Sequence, residues 1–278
     1  MRISLFNNFG AKNSAPVFQA IAQGLLATGH SIVNHDASAD VAVIWSMLWA
    51  GRMRGNREVY HTFRSQGRPV IVAEVGMIQR NKTWKLGING TGFANYPTHV
   101  DDANRAAKLG IHCGAWRSAG SNIVIACQRT DSEQWSGQPP LTDWLSNTVH
   151  TIRQHTDRPI VIRPHPRWQA VNMPGYIIER PQQIYNTYDD FDYMKSLDNA
   201  WAVVNYNSGP GPQAVIAGVP AFVDSSSLAS PVGNLDLKDI DCPARPDRTE
   251  WANWLAHSEW TTEEIATGYP LQRLLNTL

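Results

Sequence analysis

The chain has 278 residues, which is enough to bury a large core in one large domain or in two ordinary ones. Its 24 Lys and Arg residues balance 24 Asp and Glu residues, so the overall charge indicates neither a nucleic-acid nor a membrane partner, although a local basic groove stays open. Three cysteines without CxxC spacing indicate neither a disulfide framework nor a zinc site and favour a reducing cytoplasm, and no stretch approaches the roughly 18 apolar residues that span a bilayer.

The first half of the chain alternates apolar strands with helical patterns. Apolar residues at Val17, Ile21 and Leu25 recur at helical spacing after Pro16, and Gly29 follows as a stop signal. The elements predicted here are strands over residues 2–9, 30–35, 39–48 and 68–76, and helices over 14–29 and 55–67. Strands that are apolar throughout and alternate with helices indicate a parallel sheet covered on both faces.

Between residues 77 and 121 the pattern loosens and predicts one helix, over 102–109. The regular pattern then restarts. It predicts strands over residues 121–128, 158–166, 201–207 and 219–224, and helices over 140–156, 189–200, 211–218, 248–260 and 261–278. We therefore expect an α/β protein with two Rossmann-like domains facing across a cleft, over residues 1–120 and 121–278, with the last helix free to cross back to the first domain.

The first candidate site follows the strand that ends in RPHP. Ligands of open α/β sheets lie beyond the carboxyl ends of the strands, where Arg163 and His165 stand. Pro164 and Pro166 stiffen this segment, and a forked guanidinium beside an imidazole suits a phosphate group. The alternative is that Arg163 pairs with a structural carboxylate and His165 only completes a turn.

A second candidate is the uncharged turn of Ser208, Gly209 and Gly211, which lies between Asn207 and a helix beginning near Pro212. Backbone N–H groups and the dipole at a helix N-terminus favour an anion, and glycine lets that anion approach closely. The alternative is an ordinary strand-to-helix turn in which Ser208 or Asn207 caps the helix.

Glu74 is the candidate general base, because it ends an apolar strand and precedes Gly76. The alternative is a carboxylate that caps the backbone or pairs with an arginine. Further candidate carboxylates are Asp36, Asp40, Asp101 and Asp102. The sequence motifs of P-loop, dinucleotide-binding, nucleophile-elbow and zinc-protease sites are missing, and the nine histidines show no metal-ligand spacing, so a metal-free transferase is favoured.

Residues 121–235 carry several motifs in order: a strand ending in RPHP, the segment DDFDYMKSLD, the run NYNSGPGPQAVIAGVPAFVD, and SSSLASPVG. This order resembles the donor domain of GT-B glycosyltransferases. It is most similar to the capsule-type Kdo transferases and to phage-encoded transferases that add sugars to modified DNA bases. The resemblance implies a nucleotide-sugar co-substrate, predicted to be a UDP-sugar, and no metal cofactor. The residues it assigns to the donor are Arg163, His165, Asn207, Ser208, Gly209 and Gln213.

One position departs from that pattern. Many GT-B proteins carry a glutamate that holds the donor ribose where this chain has Gln213, so the identity of the donor stays open. Arg163, His165 and the N–H groups after Ser208 would stabilise the negative charge that grows on the leaving phosphate. If the sugar inverts, Glu74 would accept the acceptor's proton, whereas a retaining reaction would need no such base.

The acceptor is predicted from basic residues of the loose segment that are interleaved with Trp84 and Trp116, namely Arg80, Lys82, Lys85, Arg105, Lys108 and Arg117. The residues assigned to acceptor binding are Arg80, Lys82, Trp84 and Lys85. Basic and aromatic side chains together suit a DNA backbone and an extruded base, so the leading acceptor is a hydroxymethylated pyrimidine such as 5-hydroxymethylcytosine in double-stranded phage DNA, modified in the host cytoplasm. The alternatives are a solvated surface over core tryptophans, a capsular or lipopolysaccharide acceptor, and a non-catalytic two-domain ligand-binding protein.

Overall fold

The structure is a computed structural model that describes residues 1–168, 171–187 and 190–278. The chain divides into two compact units. Unit 1 comprises Met1–Arg105, Asp131–Gln134 and Trp254–Leu278, and unit 2 comprises Ala106–Thr130 and Trp135–Asn253. The sequence predicts one boundary after residue 120, whereas the chain passes between the units after Arg105, Thr130, Gln134 and Asn253.

Unit 1 contains a six-stranded, mostly parallel sheet. Its strands are β1 (Arg2–Leu5), β2 (Ser31–Asn34), β3 (Val41–Trp45), β4 (Val70–Val75), β5 (Trp84–Ile88) and β11 (Glu259–Trp260). They lie in the order β2-β1-β3-β4-β5-β11. The first four are parallel, β5 runs antiparallel to β4, and β11 runs antiparallel to β5.

Strand β5 lies in the segment where the sequence analysis predicts no strand. Its pattern is that of a strand: Trp84 and Leu86 enter the core and Lys85 between them points to the other face. Trp84 pairs with Trp260 of β11, a residue far along the chain. Strand β5 has only five residues, and two of them, Lys85 and Gly87, are uncommon in strands. The strand is therefore recognised from its pairing with β4 and β11.

The helices of unit 1 cover both faces of this sheet. They are α1 (Ala15–Ala27), α2 (Asn56–Ser65), α7 (Thr262–Ala266) and α8 (Tyr269–Leu275), with the short α3 (Arg105–Lys108) at the unit boundary. Residues of α1, α7 and α8 share one apolar core with β1, β3, β4 and β5. Tyr60 and Phe63 of α2 pack with Val70 and Val72 in a second core. Glu74 lies near the end of β4, on the same face of the sheet as Val70 and Val72, which is the face that α2 covers.

Unit 2 contains a five-stranded, fully parallel sheet. Its strands are β6 (Asn122–Ala126), β7 (Ile160–Arg163), β8 (Ile177–Ile178), β9 (Ala200–Asn205) and β10 (Ala221–Phe222), and the helices of this part of the chain are α4 (Leu141–Arg153), α5 (Pro210–Ile216) and α6 (Thr249–Ala256), the last ending in unit 1. The strand order is β10-β9-β6-β7-β8. The protein is therefore a mixed α/β fold with parallel sheets.

The strand order of unit 2 creates a switch point between β6 and β9. The chain leaves β6 for β7 and β8 on one side and then returns to β9 and β10 on the other. Such switch points open a crevice at the carboxyl ends of the two central strands. The helix predicted over residues 189–200 is not observed: its described part holds only a 3₁₀ turn, Lys195–Leu197, while residues 188 and 189 lie outside the described chain.

Candidate functional site

A reciprocal pair of amide side chains lies at the switch point of unit 2. Gln128 Nε2 donates to Asn207 Oδ1 at 2.9 Å, and Asn207 N donates back to Gln128 Oε1 at 3.1 Å. Asn207 Nδ2 also donates to Ser226 Oγ at 3.0 Å. The predicted donor residue Asn207 therefore lies where a ligand is expected and is held in one orientation, by a partner that the sequence analysis did not single out.

The turn after β9 offers fewer backbone donors than the sequence analysis assumed. Pro210 and Pro212 have no N–H group, and Gly211 N already donates to Ser208 O at 3.3 Å. Ser208 Oγ accepts from Asn205 Nδ2 at 3.0 Å, so its hydroxyl proton can point elsewhere. The predicted cradle of N–H groups after Ser208 is thus reduced to Gly209.

Gly211 and Gln213 lie in α5, the helix that follows this turn. A Cβ at Gly211 would lie 2.9 Å from Val223 Cγ1, so the Val223 side chain would have to shift to admit a larger residue. Gln213, in the middle of α5, is half-buried, and its N donates to Gly209 O at 3.1 Å. Asn205 is 2 % exposed, and its Oδ1 has no hydrogen-bond partner within the described residues. A buried acceptor without a donor is costly, which favours a ligand hydroxyl or a water molecule there.

Arg163 ends β7 and is 4 % exposed. Its Nη1 donates to Tyr193 O at 2.8 Å and to Ser196 Oγ. Burial lowers the pKa of Arg163. Both hydrogen-bond partners are neutral, so the carboxylate pairing considered from the sequence is not what holds this side chain. The guanidinium instead lies under the 193–196 segment.

His165 is half-buried two residues beyond β7. Its Nδ1 accepts from Arg167 N at 3.1 Å. This bond assigns the neutral tautomer with its proton on Nε2, which makes Nε2 a hydrogen-bond donor. An imidazole held this way can donate to an anionic oxygen, and the geometry also fulfils the turn role that the sequence analysis left open.

A cavity of about 290 Å³ opens at the carboxyl ends of β9 and β10. Trp144 of α4 and Tyr206 supply aromatic walls, and Gln138 and Asp224 supply polar groups. Burial and the Asp224 carboxylate, in that order, raise the pKa of Tyr206, so the phenol stays protonated at neutral pH. The sequence analysis missed this cavity because its residues come from four separate segments.

In unit 1, Glu74 is half-buried near the end of β4. Ser46 Oγ donates to Glu74 Oε1 at 3.2 Å, and Thr91 Oγ1 donates to Oε2 at 3.5 Å. Gln134 Nε2 donates to Thr91 Oγ1 at 2.7 Å. The described part of the chain records no basic partner for Glu74, so neither the cap nor the arginine pair considered from the sequence is observed.

Lys85 lies directly between two glutamates on the same face of the sheet. It pairs with Glu74 on β4 and with Glu259 on β11. Glu259 is fully buried, and its carboxylate accepts from Met77 N at 2.7 Å, Ile78 N at 3.0 Å and Thr83 Oγ1 at 2.7 Å. The structure thus brings together Glu74 and Lys85, two of the predicted site residues, and adds a carboxylate that was not predicted.

The residues predicted to bind the acceptor do not form one exposed surface in the structure. Trp84 is 5 % exposed and packs 5.6 Å from Trp45 in the core, so it presents no open face. Lys82 is exposed and Arg80 half-buried on the loop before β5. Arg105 is buried and donates to Glu264 Oε2 at 2.9 Å.

The other residues of that basic and aromatic pattern belong to unit 2. They are Trp116, Arg117 and Lys108. Trp116 Nε1 donates to Pro246 O at 2.8 Å, and Arg117 Nη1 donates to Leu197 O at 2.6 Å. The aromatic and basic residues were read as one surface because they are near in sequence, whereas the structure distributes them between two units and the core.

The further candidate carboxylates of the N-terminal half make structural contacts. Asp36 pairs with the Arg2 guanidinium, and Asp40 accepts from Arg2 N at 2.7 Å. Asp101 accepts from Tyr269 Oη and from Arg273 Nη1, the latter at 3.0 Å. Asp102 accepts from Asn104 N at 3.0 Å. The donors observed for Glu74 among the described residues are hydroxyl groups.

The described residues contain neither a candidate metal site nor a helix that could cross a membrane. Across residues 1–168, 171–187 and 190–278, no group of three or more His, Cys, Asp and Glu side chains is placed to hold a metal ion. Within the same ranges, no helix has the length and apolar character needed to cross a membrane.

Comparison with known proteins finds similarity in structure only. No protein-family model and no curated protein matches this sequence. Two solved structures of Thermosulfurimonas dismutans KpsC match over nearly the whole chain. The β-Kdo 2,4 transferase is 13 % identical with a TM-score of 0.50 and is aligned over 92 % of this chain and 90 % of its own. The β-Kdo 2,7 transferase has the same identity and TM-score, with coverage of 98 % and 99 %. This likeness shows a shared fold.

Proposed function

We propose that the protein is a GT-B glycosyltransferase, in which unit 2 binds a nucleotide-sugar and unit 1 binds the acceptor and supplies the base. One observation carries this proposal: the fold is shared, from end to end, with two enzymes whose names describe sugar transfer. The placement of His165 and Asn207 at one sheet edge, and of Glu74 at another, supports it.

The donor would bind along the carboxyl edge of the five-stranded sheet. His165 Nε2 would donate to a phosphate oxygen, with the buried charge of Arg163 behind it. The nucleoside would enter the cavity beside Trp144 and Tyr206, because the aromatic faces of these residues suit a base. The volume of this cavity, about 290 Å³, is near the lower end for ligand pockets. Asn205 Oδ1, near the turn, would accept from a hydroxyl.

The reaction would break the bond between the anomeric carbon and the donor phosphate and form a bond from that carbon to the acceptor oxygen. The leaving phosphate would take the electron pair and be stabilised by His165 and Arg163. In an inverting reaction Glu74 would take the acceptor's proton. Charge stabilisation would come from protein groups, so a metal ion is not part of the proposal.

The acceptor hydroxyl is proposed to belong to a glycan rather than to DNA. The DNA prediction depended on a basic surface with exposed tryptophans, and Trp84 and Arg105 are buried. Lys85, directly opposite Glu74, is the predicted acceptor residue whose position still fits this role. A hydroxymethylated DNA duplex stays in the test as the competing acceptor.

The proposal is tested by measuring thermal stabilisation with UDP-, GDP- and CMP-sugars, followed by mass spectrometry of oligosaccharide and hydroxymethylated DNA acceptors. We expect one nucleotide class to raise the melting temperature. His165→Ala and Asn207→Ala should remove that rise, while the exposed His112→Ala should keep it. Glu74→Gln should keep donor binding and lose transfer. Binding without turnover of any acceptor would favour the non-catalytic ligand-binding alternative, and no stabilisation by any nucleotide would refute the proposal.

A further inference from the structure

Both oxygens of the Glu74 carboxylate receive a hydroxyl group. Ser46 Oγ approaches Oε1 at 3.2 Å and Thr91 Oγ1 approaches Oε2 at 3.5 Å, the latter a long contact. Ser46 and Thr91 are both buried. Two neutral donors therefore set the orientation of this half-buried carboxylate.

Each of these hydroxyls is itself directed by an N–H group. Leu48 N donates to Ser46 Oγ at 3.2 Å, and Gln134 Nε2 donates to Thr91 Oγ1 at 2.7 Å. A hydroxyl has one proton and two lone pairs, so an N–H that occupies a lone pair leaves the proton to donate. The proton of each hydroxyl is then free to point at Glu74.

Gln134 reaches this place because residues Asp131–Gln134 belong to unit 1, although they follow β6 of unit 2 in the chain. Trp49 N donates to Asp131 O at 2.8 Å, and Glu133 N donates to Met47 O at 3.0 Å. Trp49 Nε1 also donates to Glu133 Oε2 at 3.0 Å. Three hydrogen bonds thus hold residues 131–134 next to Met47 and Trp49, which follow Ser46 in the chain.

Ser46 is held in an unusual backbone conformation. Its φ is +61°, a region that residues other than glycine rarely occupy. Ser46 N donates to Ala73 O, next to Glu74, at 2.7 Å. Strain of this kind persists where the surrounding structure enforces it and is frequent at functional sites. This backbone conformation directs the Ser46 hydroxyl towards the Glu74 carboxylate on the neighbouring strand β4.

We infer that Gln134, acting through Thr91, and Ser46 are positioning residues that aim Glu74 at the acceptor hydroxyl. Two hydroxyl donors fix the direction of the carboxylate and occupy only part of its lone pairs, so an acceptor position is left for the proton of the acceptor hydroxyl. This inference rests on the proposed function, because Glu74 is the base only if the protein transfers a sugar.

The test combines a ligand-free signal with kinetics. The carboxyl ¹³C resonance of Glu74, assigned by its loss in Glu74→Gln, should move in Gln134→Ala and Thr91→Val. It should stay in place in the matched controls Thr151→Val, on α4, and Gln154→Ala, at the C-cap of α4. With the donor found by the stabilisation screen, kcat should fall on the order of 10- to 100-fold while KM changes little. Thr91→Ser, which keeps the hydroxyl, should restore both readouts.

The outcomes separate the two claims. An unmoved resonance in well-folded Gln134→Ala and Thr91→Val, together with an unchanged kcat, would overturn the inference even if Glu74→Gln abolishes transfer. If no sugar is transferred to any acceptor, the proposed function fails. A moved resonance would then still establish that Gln134 orients Glu74, while an unmoved one would overturn that as well.

Discussion

Glu74 and Glu259 lie on the same face of one sheet, each opposite Lys85, and yet they are held in different ways. Glu259 is fully buried and accepts two main-chain N–H groups and a threonine hydroxyl. Glu74 is half-buried and, among the described residues, accepts from two side-chain hydroxyls. A carboxylate enclosed by backbone donors is committed to the fold, because removing it would leave those donors buried and unpaired. Glu74, held by hydroxyl groups, is the carboxylate proposed to transfer a proton.

The largest effect expected from this comparison is on catalysis. Glu74→Gln keeps the shape of the side chain and removes the base, so transfer by the proposed reaction should fall on the order of 10²- to 10⁴-fold. The melting temperature should change little, because the amide oxygen can still accept one hydroxyl. Activity and thermal unfolding of the same preparation check this. Equal loss of stability and activity in Glu74→Gln and Glu259→Gln would erase the distinction between the two glutamates.

The next effect is on stability. Glu259→Gln replaces an oxygen with an NH₂ group that must face a buried donor, so it should lower the free energy of unfolding by about 3 kcal/mol. Urea denaturation measures the change. Glu58→Gln, at an exposed position in the first turn of α2, is the matched control and should cost less than about 1 kcal/mol. A cost at Glu259 no larger than at Glu58 would show that the buried carboxylate is not needed by its loop.

A smaller loss is expected when the loop is pushed away from Glu259. A Cβ at Gly76 would lie 2.3 Å from Glu259 Oε2 and 2.4 Å from Thr83 O, so Gly76→Ala should cost about 1–3 kcal/mol. Gly114 has open space around it, and Gly114→Ala should be close to neutral. Comparing the two urea midpoints tests whether the loop needs this close approach. Equal midpoints would mean that the loop can move aside freely.

The smallest effect concerns the tyrosine whose hydroxyl lies in the field of both carboxylates. Tyr96 is buried, and its Oη has no hydrogen-bond partner within the described residues. Tyr96→Phe should therefore be neutral or stabilising by up to about 1 kcal/mol at pH 7. A loss of stability would indicate a partner for the hydroxyl, such as a water molecule.

Tyr96 also gives the comparison a pH dependence. Burial, then Glu259, then Glu74 raise the pKa of Tyr96 well above its usual value of 10.0. The folded state thus keeps the proton where the unfolded chain loses it, so this contribution to stability is present below about pH 10 and is lost as the pH rises further. The decline above pH 10 should be shallower in Tyr96→Phe, measured by denaturation across pH 8–11.

The sequence was sufficient for those elements whose signals are local. Strand β4, helix α1 and strands β6, β7, β9 and β10 follow from apolar runs, from Pro16 and from Gly29, and all are observed, whereas the short β8 was not predicted. Strand β5 has only five residues, with Lys85 and Gly87 among them, and it was missed although it pairs with β4 as well as with the distant β11. The predicted helix over 189–200 had acidic residues and helical spacing but is represented by a single 3₁₀ turn in its described part.

The site was predicted unevenly for similar reasons. Glu74, His165 and Asn207 could be singled out as candidates because strand ends are visible in a sequence, and their roles stay predictions. Glu259 and Gln134 contact residues distant in the chain, which no local pattern indicates. Trp84 was assigned to a surface because exposure cannot be read from residue type alone. The loss of donors at Pro210 and Pro212 could have been predicted, since proline never carries an N–H group.

The four passages of the chain between its two units have a consequence for protein synthesis. The core of unit 1 includes Trp260, Leu271 and Leu274, which the ribosome makes after every strand of unit 2. Chains are made from the N-terminus at about 5–20 residues per second, so the first sheet must wait, with its β5 edge unpaired, while unit 2 is produced. Truncation before residue 254 should therefore yield a nascent chain that needs a chaperone. Unit 1, whose strands are made first, is completed only when residues 254–278 are made.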